Sequence, residues 1–133
     1  MIYVDSCAVV KLLLNEEHTH ALKTHLALSG ADMVSSALTK VEVCRTLNRH
    51  GQREPTRAVA DSLLDKIAKL PLDTVLDRAA DLDGSLRALD ALHVATAQLL
   101  GPAVTEFITY DRRLAKAATE AGLPLTMPGI DKS

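Results

Sequence analysis

The sequence predicts an α/β fold: a central, mostly parallel sheet of four to five short strands, flanked by helices. Three observations predict it. Two apolar runs, Ile2-Tyr3-Val4 and Phe107-Ile108-Thr109-Tyr110, each stop at an aspartate, Asp5 and Asp111, and then turn into a helical pattern. Ile2, Tyr3 and Val4 are β-formers without polar alternation, as expected of a strand covered on both faces. Strand-like and helix-like segments alternate along the chain, which argues for a parallel sheet with helices packed on it. In such a sheet, ligands bind at the carboxyl ends of the strands.

After Asp5, the recurrence of Ala8, Val9, Leu12 and Leu13 predicts a helix over residues 6–14. Ala21, Leu22, His25, Leu26 and Leu28 predict a second over 16–29, closed by Gly30. Residues 32–36 read as a short strand. Leu38, Val41, Cys44 and Leu47 trace a third helix over 37–50. Val59, Leu63, Leu64, Ile67 and Leu70 trace a fourth over 54–69, with Pro55 in its first turn, where a missing N–H costs least. Pro71-Leu72-Asp73 is a connection or strand, and residues 74–83 form a largely polar helix. Residues 88–100 are apolar all round, as in a central buried helix. A strand over 106–110 leads to Asp111, a helix over 112–121 ends at Gly122, and residues 124–127 make a last strand. The tail beyond is expected to fray. No linker or repeat interrupts residues 1–133, so a single domain is expected.

The bulk numbers narrow the function classes. Hydrophobic residues at 47% and charged residues at 24% describe an ordinary globular chain. A net charge of −2 excludes nucleic-acid binding by bulk positive charge, but not by a local basic patch. With only Tyr3, Phe107 and Tyr110 as aromatics, a base-stacking platform of the single-strand-binding kind is not expected. Cys7 and Cys44 lack zinc-site spacing and read as buried reduced thiols. The N-terminus does not read as a signal peptide and no apolar stretch reaches membrane-spanning length, so a cytoplasmic protein without a membrane partner is expected.

Four acids carry the chemistry, and each has a plainer role when taken singly. Asp5 and Asp111 can each be a helix N-cap. Glu42 can close a capping box begun by Thr39, or pair with Arg45, although Ser35 and Ser36 offer an earlier helix start. Asp90 can pair with Arg87 or sit in a first helical turn. His93, three residues on, reads as a core histidine with one hydrogen bond. Their conjunction favours a site. Asp5 and Asp111 end apolar strands at one sheet edge, and Asp90 lies in the most apolar helix, where an unpaired charge is costly. Mg²⁺ and Mn²⁺ take hard oxygen ligands, and clustered carboxylates repel unless a cation neutralises them. Such sites serve phosphodiester hydrolysis. Thr109 is placed to support a carboxylate, and Ser6 to cap the helix beside Asp5. A phosphoryl-receiver or Asp-nucleophile phosphatase fits poorly, because Ser6 and Cys7 follow Asp5 where either would need a further acid.

These motifs, residues 4–12, 35–45, 87–97 and 108–114 in that order and spacing, resemble PIN-domain ribonucleases, specifically VapC-type toxins of type II toxin–antitoxin pairs. The resemblance covers essentially the whole chain. It implies a three-layer α/β/α PIN-like domain, with the acidic site on Asp5, Glu42, Asp90 and Asp111. It further implies Mg²⁺- or Mn²⁺-dependent endonucleolytic cleavage of RNA, a homodimer, and inhibition by a cognate antitoxin. Asp5, Asp90 and Asp111 would hold the metal, and Glu42 would orient or deprotonate the attacking water or help hold the metal. Lys11, Arg45, Arg49, Arg112 and Arg113 are candidate contacts to RNA phosphates. Cys7 departs from the family, which most often has Ser there, and its weak donor leaves a hydrogen bond near Asp5 in question. The alternative is a PIN-like scaffold that binds RNA or protein without cutting.

Overall fold

A computed structural model describes residues 1–130. Five parallel strands form one sheet in the order β3-β2-β1-β4-β5. They are β1 (Ile2–Val4), β2 (Met33–Ser36), β3 (Ala68–Leu70), β4 (Glu106–Ile108) and β5 (Leu125–Thr126). The helices are α1 (Ser6–Leu13), α2 (Thr19–Ser29), α3 (Leu38–Arg49), α4 (Thr56–Asp65), α5 (Leu76–Ala80), α6 (Ala88–Leu100) and α7 (Arg112–Glu120). The chain builds outward from β1 to β2 and β3 on one side, then returns to place β4 and β5 on the other. Strand order therefore reverses at β1, and the crevice beside it is the place where such sheets bind ligands.

Both faces of β1 are covered, which explains its unbroken apolar run. Ile2 and Val4 pack with Ala8, Val9, Leu22, Leu47, Leu64 and Ile67, beneath α1 to α4. Tyr3 faces the other way and packs with Val94, Phe107, Leu114 and Ala118, beneath α6 and α7. This is the three-layer α/β/α arrangement. Tyr3 pairs in register with Phe107, and their rings stack with centroids 4.8 Å apart. Phe107 is fully buried, so Phe107→Ala is expected to cost about 3–5 kcal/mol in urea or thermal unfolding.

Several boundaries differ from the sequence reading. The helix expected over 54–69 stops at Asp65, where Lys69 Nζ donates to the carbonyls of Leu64 (2.5 Å) and Ile67 (2.9 Å). Ala68–Leu70 then pairs with the open edge of β2; a helical stripe in the sequence does not reveal that edge. Residues 72–74 form a 3₁₀ turn, and the polar helix expected over 74–83 shrinks to α5. The helix start expected at residue 16 moves to Thr19, whose Oγ1 accepts from Glu16 N at 2.9 Å. β4 ends at Ile108, because Thr109 Oγ1 accepts from Asp111 N at 3.1 Å and starts a turn. α6 is buried only in its middle: Leu89 and Leu99 are 49% and 44% exposed. Residues 128–130 form a turn, fastened by Tyr110 Oη donating to the Pro128 carbonyl at 2.6 Å. The rest of the tail expected to fray, 131–133, lies outside the described residues.

Candidate active site

Asp5 leaves β1 and enters α1 as its N-cap, with Oδ1 accepting from Ala8 N at 2.9 Å. The expectation that Ser6 caps this helix is therefore corrected: Ser6 is its first helical residue. Oδ2 of Asp5 accepts from Thr109 Oγ1 at 2.5 Å. Thr109 thus ties Asp5 to the turn that sets Asp111, the support expected of it. Asp5 is only 3% exposed. Burial pushes its carboxyl up to about 6, and the Glu42 charge adds to this, while His93, Thr109 and the Ala8 N–H oppose it.

Asp111 caps α7, with Oδ1 accepting from Arg113 N (2.9 Å) and Leu114 N (3.3 Å). Its capping and any ligand role are separable. Asn caps as well as Asp, whereas Ala costs about 1 kcal/mol. Asp111→Asn is therefore expected to keep the thermal midpoint of the wild type, whereas Asp111→Ala should lower it.

Glu42 lies inside α3, because the helix begins at Leu38, where Ser36 Oγ accepts from Leu38 N at 3.1 Å. The capping box does not form: Thr39 Oγ1 instead meets Ser35 Oγ at 2.6 Å. Glu42 Oε1 lies 2.8 Å from His93 Nε2, and Glu42 forms no ion pair with Arg45 among the described residues. His93 is buried and carries two hydrogen bonds where one was expected, the second to Tyr3 Oη at 2.7 Å.

Asp90 occupies the first turn of α6, one of the placements the sequence allowed, and is half-buried, because the helix is not buried all round as expected. Its Oδ2 is nonetheless shielded from solvent and has no hydrogen-bond partner among the described residues. Burial raises the Asp90 carboxyl, and the Asp111 charge raises it further, against Arg87, His93 and Arg113. Arg87 acts at a distance, since Asp90 makes no ion pair among the described residues. The acids thus fall into two coupled pairs, Glu42 with Asp5 and Asp111 with Asp90.

Lys11 is a correction. It is buried, and its Nζ donates to the Glu17 carbonyl at 2.6 Å, lies 3.8 Å from Glu16 and sits 4.7 Å over the Tyr110 ring. It braces the start of α2 rather than offering itself to a phosphate. Arg45, Arg49, Arg112 and Arg113 are exposed. Cys7 is half-buried, and burial, then the Asp5 charge, pushes its thiol up to about 12, so it is no nucleophile at neutral pH. The hydrogen bond in question beside Asp5 is filled by Ala8 and Thr109. Tyr3 is a neighbour of the site, through His93, that the sequence pattern does not single out. The available signal was its position two residues before Asp5, on the same side of β1.

The model of the PIN domain matches residues 2–120. Ribonuclease VapC47 of Mycobacterium tuberculosis is 39% identical over 134 residues, covering 97% of this chain and 98% of the relative. Ribonuclease VapC46 of the same species is 40% identical over 129 residues, covering 96% and 97%. Among solved structures, the sarcin–ricin-loop-cleaving toxin VapC20 of M. tuberculosis superposes with a TM-score of 0.67 at 17% identity, over 88% of this chain and 95% of that one. A toxin–antitoxin complex from Klebsiella pneumoniae gives 0.65 at 22% identity, over 85% and 88%. The matched family, the extent of the curated relatives and the three-layer fold agree: the chain belongs to the PIN domain family, among the VapC proteins.

Proposed function

We propose that this protein is an Mg²⁺- or Mn²⁺-dependent endoribonuclease, the toxin of a toxin–antitoxin pair. The observation that carries this reading is Asp90 Oδ2, an oxygen shielded from solvent and without a partner among the described residues, beside the charge of Asp111, while Asp5 and Glu42 form a second coupled pair. An orphaned buried carboxylate oxygen is costly, and a hard cation satisfies it while neutralising its neighbours. The donor set fits: all are carboxylate oxygens, as Mg²⁺ and Mn²⁺ prefer. Asp5, Asp90 and Asp111 would hold the ion, directly or through water.

When bound, the ion supplies an acidified water and charge neutralisation at the attacking and leaving oxygens of the phosphodiester. The chain's residues do the rest. Glu42 orients the attacking water and accepts its proton. Thr109 and the Ala8 N–H hold both oxygens of Asp5 in place. Arg45, Arg49, Arg112 and Arg113 receive the flanking phosphates, so RNA is read by shape and backbone. The relatives named ribonuclease support an RNA substrate.

An antitoxin partner is supported by the toxin–antitoxin complex that shares the fold. The open groove lined by Leu12, Leu13, Val59 and Leu63 suits an apolar segment of it. A homodimer is supported by the exposed Leu76 and Leu89 at α5 and α6. No helix among the described residues is long and apolar enough to cross a membrane; a cytoplasmic location and a single domain over residues 1–133 belong to the same proposal.

One observation favours the scaffold reading. Among the described residues, no three His, Cys, Asp or Glu side chains stand together closely enough to ligate one ion. Mg²⁺ usually keeps several waters and needs only one or two direct carboxylates, so the nuclease reading stands ahead. Chelation separates the two. Cleavage of total RNA should stop in EDTA and return with Mn²⁺ or Mg²⁺. RNA that stays intact under every metal supports the scaffold, and cleavage undiminished in EDTA contradicts the metal site.

A further inference from the structure

Glu42 is the outer end of a buried relay. Its Oε1 lies 2.8 Å from His93 Nε2, and His93 Nδ1 lies 2.7 Å from the Tyr3 hydroxyl. A carboxylate only accepts, so Nε2 bears a proton and donates it; the tautomer is assigned from its partners. The Tyr3 hydroxyl, a phenol that is protonated at neutral pH, stands 2.7 Å from Nδ1 and has its proton to give. Tyr3 cannot drift, because its ring is stacked on Phe107 and meets the His93 ring edge-on at 5.9 Å. Tyr3 and His93 are 0% and 2% exposed, too buried to touch RNA, whereas the Glu42 side chain is 22% exposed. Three elements, β1, α6 and α3, therefore converge on the one acid whose proposed work demands a fixed direction.

Resting on the nuclease reading above, we propose that His93 is a positioning residue for Glu42, and that Tyr3 sets it by fixing the ring proton on Nε2. The relay holds Oε1 and leaves Oε2 for the attacking water. A glutamate on a helix surface has three torsions to fix, and one directed N–H removes most of that freedom. The logic is that of outer residues that orient groups around metal centres, whose removal typically costs 10–100-fold in activity.

The test uses the full chain with saturating Mn²⁺ and a quenched-fluorophore RNA pool of mixed sequence. His93→Leu should lower kcat by about 10–100-fold with KM little changed. His93→Gln, whose amide N–H can reach Oε1, should recover most of that loss. Tyr3→Phe keeps the stacked ring and should fall less, with thermal melts reporting that each variant is folded. Imidazole ¹⁵N NMR of the metal-free wild type should show the proton on Nε2 with Nδ1 accepting, and mixed tautomers in Tyr3→Phe. Equal kcat in His93→Leu and His93→Gln, a loss carried by KM, or a proton on Nδ1 in the wild type would each overturn the proposal. A wild-type chain that leaves the RNA intact under every metal removes the nuclease reading itself, and with it this role for Glu42, whatever the tautomer.

Discussion

Asp90→Ala is expected to reduce metal-dependent RNA cleavage by about 100- to 1,000-fold, the scale seen when one group that stabilises transition-state charge is removed. The fold should survive. Asp90 is half-buried in the first turn of α6, makes no ion pair among the described residues and leaves Oδ2 unbonded, so its loss breaks no contact that the core depends on. An acid in a first turn contributes about 0.3–1 kcal/mol through the helix dipole, and that is the stability loss expected. Single-turnover cleavage and a thermal melt on the same preparation separate the two quantities. Undiminished cleavage by pure Asp90→Ala would sink the assignment.

Asp5→Asn is expected to abolish cleavage and, at neutral pH, to stabilise the metal-free protein. The sign follows from the direction of the shift. The Asp5 carboxyl is raised from 3.8 to about 6 on folding. Between those values the folded chain holds a proton that the unfolded chain has released. Stability is therefore lost as pH rises from about 4 through 6, and stays lower above that. The loss is on the order of 3 kcal/mol. Asn keeps the N-cap role toward Ala8 and can turn its amide toward Thr109, yet carries no charge. Melts of metal-free protein should show Asp5→Asn above the wild type at pH 7.5, with the gap closing near pH 4. Mn²⁺ should raise the wild type and leave the variant unmoved. A variant less stable than the wild type at pH 7.5 would contradict this account of Asp5.

The alternation of strands and helices was legible because burial on both faces removes polar residues from β1 and from Phe107-Ile108 of β4, and because strand-end aspartates mark where helices begin. The middle of α6 was legible for the same reason. β3 was hidden, since Ala68-Lys69-Leu70 carries no strand signal of its own and is made a strand by the open edge of β2. The same limit applies to the site. Asp5 and Asp111 announce themselves by local pattern. The partnership of Glu42 with His93 spans 51 residues and that of His93 with Tyr3 spans 90, so spacing cannot show either. Lys11 misled for a related reason: local sequence does not show that the Glu17 carbonyl and the Tyr110 ring close over its ammonium.

The proposed site holds a divalent cation between Asp5, Asp90 and Asp111, directly or through water, with Glu42 beside it. A crystal soaked in Mn²⁺ and measured at the manganese absorption edge tests it most directly. The account predicts an anomalous peak between Asp5, Asp90 and Asp111, with Asp90 Oδ2 directed at it. An ordered crystal that shows no peak among these residues, with Asp90 Oδ2 bonded to protein instead, would contradict it.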